Sequence, residues 1–220
     1  MNRLLTGALR LAFPRKAACM GCGDQTGCRE EWICPACRKR LTELYLGAVP
    51  PLPGLDGMAF ACVYARPATG LVQRMKYGEL YGLAEFMAGE MASAFEGLQP
   101  TGAEAVTFVP MYPARERARG YNHARKLAEA LSRRMNLPVM DALDRVRDTP
   151  QQARLDDRAR RENVRGAFAL KVPVEGMRLI LVDDVCTTGA TAQGCADALK
   201  AGGARAVYLA GYARAMQPGL

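Results

Sequence analysis

Apolar and polar positions along the chain change period several times, and each change predicts an element. Leu4, Leu5, Leu9 and Leu11, interleaved with Arg3 and Arg10, predict an amphipathic helix over residues 1–13. Residues 59–64 form a short apolar run, which predicts a strand, and 71–77 predict a short helix. Leu80, Leu83, Phe86, Met87, Met91 and Phe95 recur at helical spacing and predict a long helix over 79–98. A strand over 105–109 is stopped by Pro110, and a helix over 122–135 has Asn122 as its N-cap. Leu179, Ile180, Leu181 and Val182 make a fully apolar strand over 178–182 that runs into two acidic residues. A helix over 192–200 is closed by Gly202 and Gly203, and 206–212 reads as a further strand. Strands alternating with helices argue for an α/β fold: a mostly parallel sheet with helices on both faces.

The run Val49-Pro50-Pro51-Leu52-Pro53-Gly54 cannot continue a helix and reads as a linker. A domain boundary is therefore expected there, with 1–50 as an N-terminal element and 51–220 as the main domain. The longest apolar runs are broken well short of the about 18 residues a bilayer-spanning helix needs. The expectation is a soluble, cytoplasmic chain with no membrane insertion.

Composition removes several chemistries. His123 is the single histidine, so one chain cannot build a His-based zinc hydrolase or an HExxH protease. Ser93 and Ser132 are the only serines, and neither sits in a GxSxG elbow. No Gly-Lys-Ser/Thr sequence exists, which excludes a Walker A loop. The net charge of +8 is uneven: residues 111–170 alone carry +6. That excess can serve weak, salt-dependent nucleic-acid binding or the reading of a small polyanion.

Cysteine is clustered. Cys19-Met-Gly-Cys22 and Cys34-Pro-Ala-Cys37 are two C-x2-C pairs separated by eleven residues. A tight turn in each pair sets two thiolates on one side of an ion, and four complete a tetrahedron, so a structural Zn²⁺ ribbon or knuckle is expected. Cys28 lies between the pairs and could replace one ligand. Reduced thiols without metal, or a redox CxxC, are the weaker accounts.

The second motif is Asp183-Asp184-Val-Cys186-Thr187-Thr188-Gly189-Ala190-Thr191. A buried strand delivers two carboxylates to the carboxyl edge of a parallel sheet, at the mouth rather than in the core. A loop of small and hydroxylated residues then opens a helix. Its backbone N–H groups, Thr hydroxyls and helix N-terminus make a monophosphate cradle. Glycine lets the backbone approach the anion. Carboxylates beside an anion site suit a ligand with both phosphate and a diol, or a magnesium-bound ligand.

The run from Val182 to Thr191 resembles the phosphoribosyl diphosphate (PRPP) signature of type I phosphoribosyltransferases. Four further segments narrow the resemblance to the bacterial ComF family. They are the four-cysteine element; Tyr64 with Leu71-Val-Gln-Arg-Met-Lys76-Tyr77; Val109-Pro110-Met111-Tyr112-Pro113 with Arg117-Ala-Arg119-Gly120-Tyr121-Asn122; and Arg145-Val-Arg147 through Gln152, Leu155, Arg160 and the run from Asn163 to Phe168. The chain departs from the family pattern at Met111, where valine is usual, and at His123, where glutamine is usual. His123 reads as a solvent-facing or helix-packing residue.

The resemblance implies a type I phosphoribosyltransferase-like fold and a role for each matched residue. Asp183 and Asp184 would take the ribose hydroxyls, with Thr187, Thr188, Gly189, Ala190 and Thr191 around the 5-phosphate. Transfer would break the C1–O bond through an oxocarbenium-like transition state, so catalysis is positioning plus stabilisation of the departing diphosphate. Mg²⁺ would accompany PRPP. Lys76 and Arg119 are the leading cations for the leaving group, with Arg115, Arg117, Arg145, Arg147, Arg160 and Arg165 as further candidates. The acceptor would be a nucleobase or amine, and the process DNA uptake and competence, with single-stranded DNA or competence proteins as candidate partners. Two classes stand: an enzyme transferring phosphoribosyl, or a non-catalytic PRPP- or nucleotide-sensing module in DNA handling.

Overall fold

The computed structural model of the chain describes residues 18–24, 32–77, 81–98, 102–148 and 166–216. The N-terminal helix expected over 1–13, Cys28, and the whole segment 149–165 with Arg160 and Arg165 lie outside the described residues.

Five strands form the main sheet: β1 (Tyr45–Val49), β2 (Gly57–Val63), β3 (Ala105–Phe108), β6 (Arg178–Cys186) and β7 (Ala206–Arg214). Their spatial order is β1-β2-β7-β6-β3. β2, β7, β6 and β3 run parallel, and β1 is antiparallel at the edge beside β2. A small antiparallel pair, β4 (Leu143–Arg145) with β5 (Phe168–Leu170), stands apart from it. Central parallel strands are covered on both faces, which is why Leu179 to Val182 needs no polar side. Helices α3 (Tyr81–Glu96) and α5 (His123–Met135) pack on each other and on the sheet, whereas α6 (Ala190–Ala201) packs on β6, β7 and β5. The α/β class expected from the alternation is thus the class observed.

Three shorter helices were not legible in the pattern or only partly so: α1 (Pro35–Glu43), α2 (Ala68–Tyr77) and α4 (Pro113–Arg119). Pro35 and Pro113 start α1 and α4, where a missing N–H is harmless. The proline-rich stretch connects β1 to β2 through a turn in which Leu55 N–H donates to Leu52 O at 3.0 Å. Residues 45–49, including the Val49 that opens that run, are built into the sheet's edge. Among the described residues no helix is long and apolar enough to cross a membrane.

One boundary matters for the site. The apolar run predicts a strand ending at Val182, but β6 continues to Cys186 because β7 runs on beside it, pairing Asp183 with Gly211 and Val185 with Ala213. The two carboxylates are inside the strand and buried, not at an open mouth.

Candidate functional site

Adjacent residues of a strand point to opposite faces, and the acidic pair divides accordingly. Asp184 faces α2 and α5. Its Oδ2 lies 2.7 Å from Lys76 Nζ, and its Oδ1 lies 3.3 Å from His123 Nε2. Burial opposes ionisation of Asp184, yet His123 and Lys76 outweigh it and hold this carboxyl below the usual range. Burial equally works against the Lys76 ammonium, and the charge of Asp184 more than offsets it, so the Lys76 pKa is raised. Asp183 makes no ion pair among the described residues, and the Lys76 charge lowers its pKa less than burial and Asp184 raise it. Its Oδ1 accepts the Asp184 N–H at 2.9 Å. Burial first, and the Asp184 charge second, raise its pKa well above the ordinary value. The surroundings of the two carboxyls thus push their ionisation in opposite directions.

Three side chains of the Arg119–His123 segment build the rest. Gly120, at φ 88°, ends α4 in the left-handed region that glycine tolerates. The Tyr121 hydroxyl donates to Met75 O, one residue before Lys76. Asn122 caps α5 as expected, its Oδ1 accepting from Ala124 and Arg125 N–H, while its Nδ2 donates to Val109 O at 3.1 Å. Arg119 then lies 3.0 Å from His123 Nδ1 and over the Tyr77 ring at 5.5 Å. Lys76 and Arg119 are thus brought to Asp184, one directly and one through His123. Arg115 is instead paired with Asp148 at 2.8 Å, Arg145 lies over Phe168, and Arg117 and Arg147 are exposed. The reading of His123 as a surface or helix-packing residue is corrected by its contact with Asp184. The available signal was its place directly after an N-cap at the carboxyl edge of the sheet.

Beyond Cys186 the chain turns into α6. Gly189 is the N-cap at φ 81°, and Thr188 Oγ1 accepts the Ala190 N–H at 3.4 Å. Thr187 is exposed, Thr188 and Thr191 are half-buried, and Ala190 is buried. The first-turn N–H groups of a helix have no intrahelical acceptors, so this start can accept an anion. A Cβ on Gly189 would lie 2.0 Å from Leu52 Cδ1, so the linker backs the loop.

The four cysteines meet as their spacing predicts. The sulfurs of Cys19, Cys22, Cys34 and Cys37 all lie within 4.8 Å of one another, with Cys22 and Cys34 at 3.9 Å. A tetrahedral thiolate site with bonds of about 2.3 Å has edges of about 3.8 Å, so these residues fit a metal ion. Cys19 Sγ accepts from the N–H groups of Gly21, Cys22 and Cys34 at 3.3, 3.5 and 3.2 Å. Burial would raise the Cys19 thiol, but these donors lower it to about 6. A backbone that stabilises thiolate is a backbone prepared for a cation.

This cysteine element is docked on the site. Arg74 of α2 donates to Met20 O at 2.6 Å, and a Cβ on Gly70 would lie 2.2 Å from Gly21 O. On α3, the Trp32 ring covers Gly82, where a Cβ would be 2.0 Å from Cζ2, and Arg38 lies over Phe86 at 5.6 Å. The helix so clamped, α2, is the one that carries Lys76 to Asp184.

Fold and site together define a class: a mostly parallel α/β protein with a buried acidic pair and a helix start at its carboxyl edge, joined to a four-cysteine element that could hold a metal ion. The chain belongs to the ComF family. It is 29% identical over 207 residues to the DNA utilization protein YhgH of Escherichia coli (strain K12), covering 90% of this chain and 91% of that one. Competence protein F of Haemophilus influenzae is 28% identical over 221 residues, covering 90% and 96%. YhgH of Salmonella typhimurium is 32% identical over 153 residues, 66% of each chain. No family model matches the chain. Among solved structures, the glutamine PRPP amidotransferase of B. subtilis aligns with 57% of this chain and 25% of that chain, at TM-score 0.39 and 21% identity.

Proposed function

We propose that the chain binds PRPP at the carboxyl edge of its sheet and transfers the phosphoribosyl group to a base or amine, in the DNA utilisation and competence for which its relatives are named. The observation that carries this reading is the buried acidic pair, with Lys76 and His123 set against Asp184, directly before the start of α6. Asp183 and Asp184 take the ribose hydroxyls. Thr187, Thr188, Gly189, Ala190 and Thr191 surround the 5-phosphate at the helix start. An acceptor nitrogen bonds to C1 as the C1–O bond to diphosphate breaks, and Lys76 and Arg119 are the cations assigned to the departing charge.

Both oxygens of Asp184 already face His123 and Lys76, so these residues do not by themselves make a cation site. Mg²⁺, if used, comes with the oxygens of PRPP. For the cysteine element we propose Zn²⁺ in a closed, structural site, since four thiolates leave no position for substrate. Four reduced thiols suit a cytoplasmic location.

The test is PRPP calorimetry together with a diphosphate-release assay against a panel of bases and amines, with and without Mg²⁺. Binding with release supports transfer. Binding without release across the panel favours the sensing module, and no binding at all overturns the PRPP reading.

A further inference from the structure

We propose that His123 is the positioning residue of the acidic pair: Arg119 fixes its ring as the Nε2–H tautomer, and that N–H holds the Asp184 carboxylate in its ligand-facing orientation. The inference rests on the PRPP reading for its ligand, but not for its geometry. A guanidinium has only donors. With Arg119 NH1 3.0 Å from His123 Nδ1, that nitrogen must offer its lone pair. In that tautomer the ring proton sits on Nε2, 3.3 Å from Asp184 Oδ1.

Asp184 consequently has side chains of two helices against its two oxygens, Lys76 at 2.7 Å and His123 at 3.3 Å. Those helices are tied together by the Tyr121 hydroxyl on Met75 O. Asn122, as N-cap, fixes where His123 enters α5. Arg119 is in turn set over the exposed Tyr77 ring. The imidazole is only 12% exposed, so water does not readily replace either bond. A carboxylate with one oxygen free would rotate about its terminal bond, which is a broad torsion. With both oxygens held, it presents a fixed lone pair to a hydroxyl.

The polarity of this relay can be reproduced. A glutamine amide accepts through its oxygen from Arg119 and donates through its NH₂ to Asp184, whereas leucine does neither. Because His123 is the single histidine, nitrogen NMR of the ¹⁵N-labelled full chain reports its tautomer without assignment. Near neutral pH the spectrum should show a protonated Nε2 and a bare Nδ1. An Nδ1–H ring or an imidazolium overturns the proposal, whatever PRPP does. In PRPP calorimetry, His123→Gln should stay within about threefold of wild type, while His123→Leu should lose about tenfold or more. Equal loss in both variants, or none in His123→Leu, also overturns the positioning role. A wild-type chain with the Nε2–H tautomer that fails to bind PRPP instead overturns the proposed function and leaves the relay standing.

Discussion

Asp183 and Asp184 are neighbours with opposite charge preferences, and the cause is which face of β6 each occupies. Asp184 has Lys76 and His123 against it; Asp183 has burial and its neighbour's charge. Their amide substitutions should therefore differ in sign. Asp184→Asn leaves the Lys76 ammonium, 26% exposed, without its counterion, and should cost about 2–4 kcal/mol, somewhat less than a fully buried pair. A depressed carboxylate pKa contributes stability above the ordinary value that is lost as pH falls through the depressed one. The penalty of Asp184→Asn should thus shrink in acid. Asp183→Asn keeps the acceptor for the Asp184 N–H and removes an unfavourable ionisation. A raised pKa contributes stability below the ordinary value of 3.8 that is lost as pH rises through the raised one. Asp183→Asn should then stabilise the fold at neutral pH and have no such effect near pH 3. Thermal melts of both variants across pH would contradict this assignment if the two moved together.

At the scale of elements, the cysteine cluster and the acidic pair are joined by α2. Its Gly70 lies against the backbone of Gly21, and its Lys76 ends at Asp184. Glycine to alanine inside a helix ordinarily stabilises by about 0.5–1 kcal/mol. Here a Cβ would meet Gly21 O at 2.2 Å, so Gly70→Ala should instead destabilise, by about 1–3 kcal/mol. Removing the proposed zinc ion should act along the same route. Thiolate zinc sites contribute about 10–16 kcal/mol in small zinc peptides, far beyond what so short a segment gains by burial. Chelation, or Cys34→Ser, should speed amide exchange over residues 68–77 while β6 and β7 stay protected. Uniform change through the sheet, or none in α2, would show that the clamp does not exist.

Over the whole molecule, the net charge of +8 is concentrated between residues 111 and 170, and two ligands compete to explain it. Nucleic acid releases many counterions, so its affinity falls steeply with salt, whereas one small anion in a pocket gives a shallow slope. Arg117 and Arg147 are exposed and lie outside the Asp184 group. Arg147→Ala should weaken short single-stranded DNA and lower its salt slope, leaving PRPP affinity within about twofold. Titrations of both ligands from low to moderate salt decide it. A chain that binds no DNA even at low salt has its basic surplus for another purpose.

Much of this protein is set by local order alone. Helical spacing of Leu83, Met87, Met91 and Phe95 fixes a buried stripe, and an apolar run at Leu179–Val182 fixes a central strand, because solvent exclusion acts on any such pattern. Two C-x2-C turns fix a thiolate site, and Asn122 fixes a helix start, since each needs only residues a few positions apart. Other features require partners distant in the chain. β6 reaches Cys186 because β7 runs on beside it, and β1 is a strand because β2 offers it an edge. Lys76, Arg119 and His123 meet Asp184 only once α2, α4 and α5 end at the same edge of the sheet. Charge preferences within the acidic pair follow from that meeting, because a carboxylate's ionisation depends on what surrounds it in space rather than what flanks it in sequence.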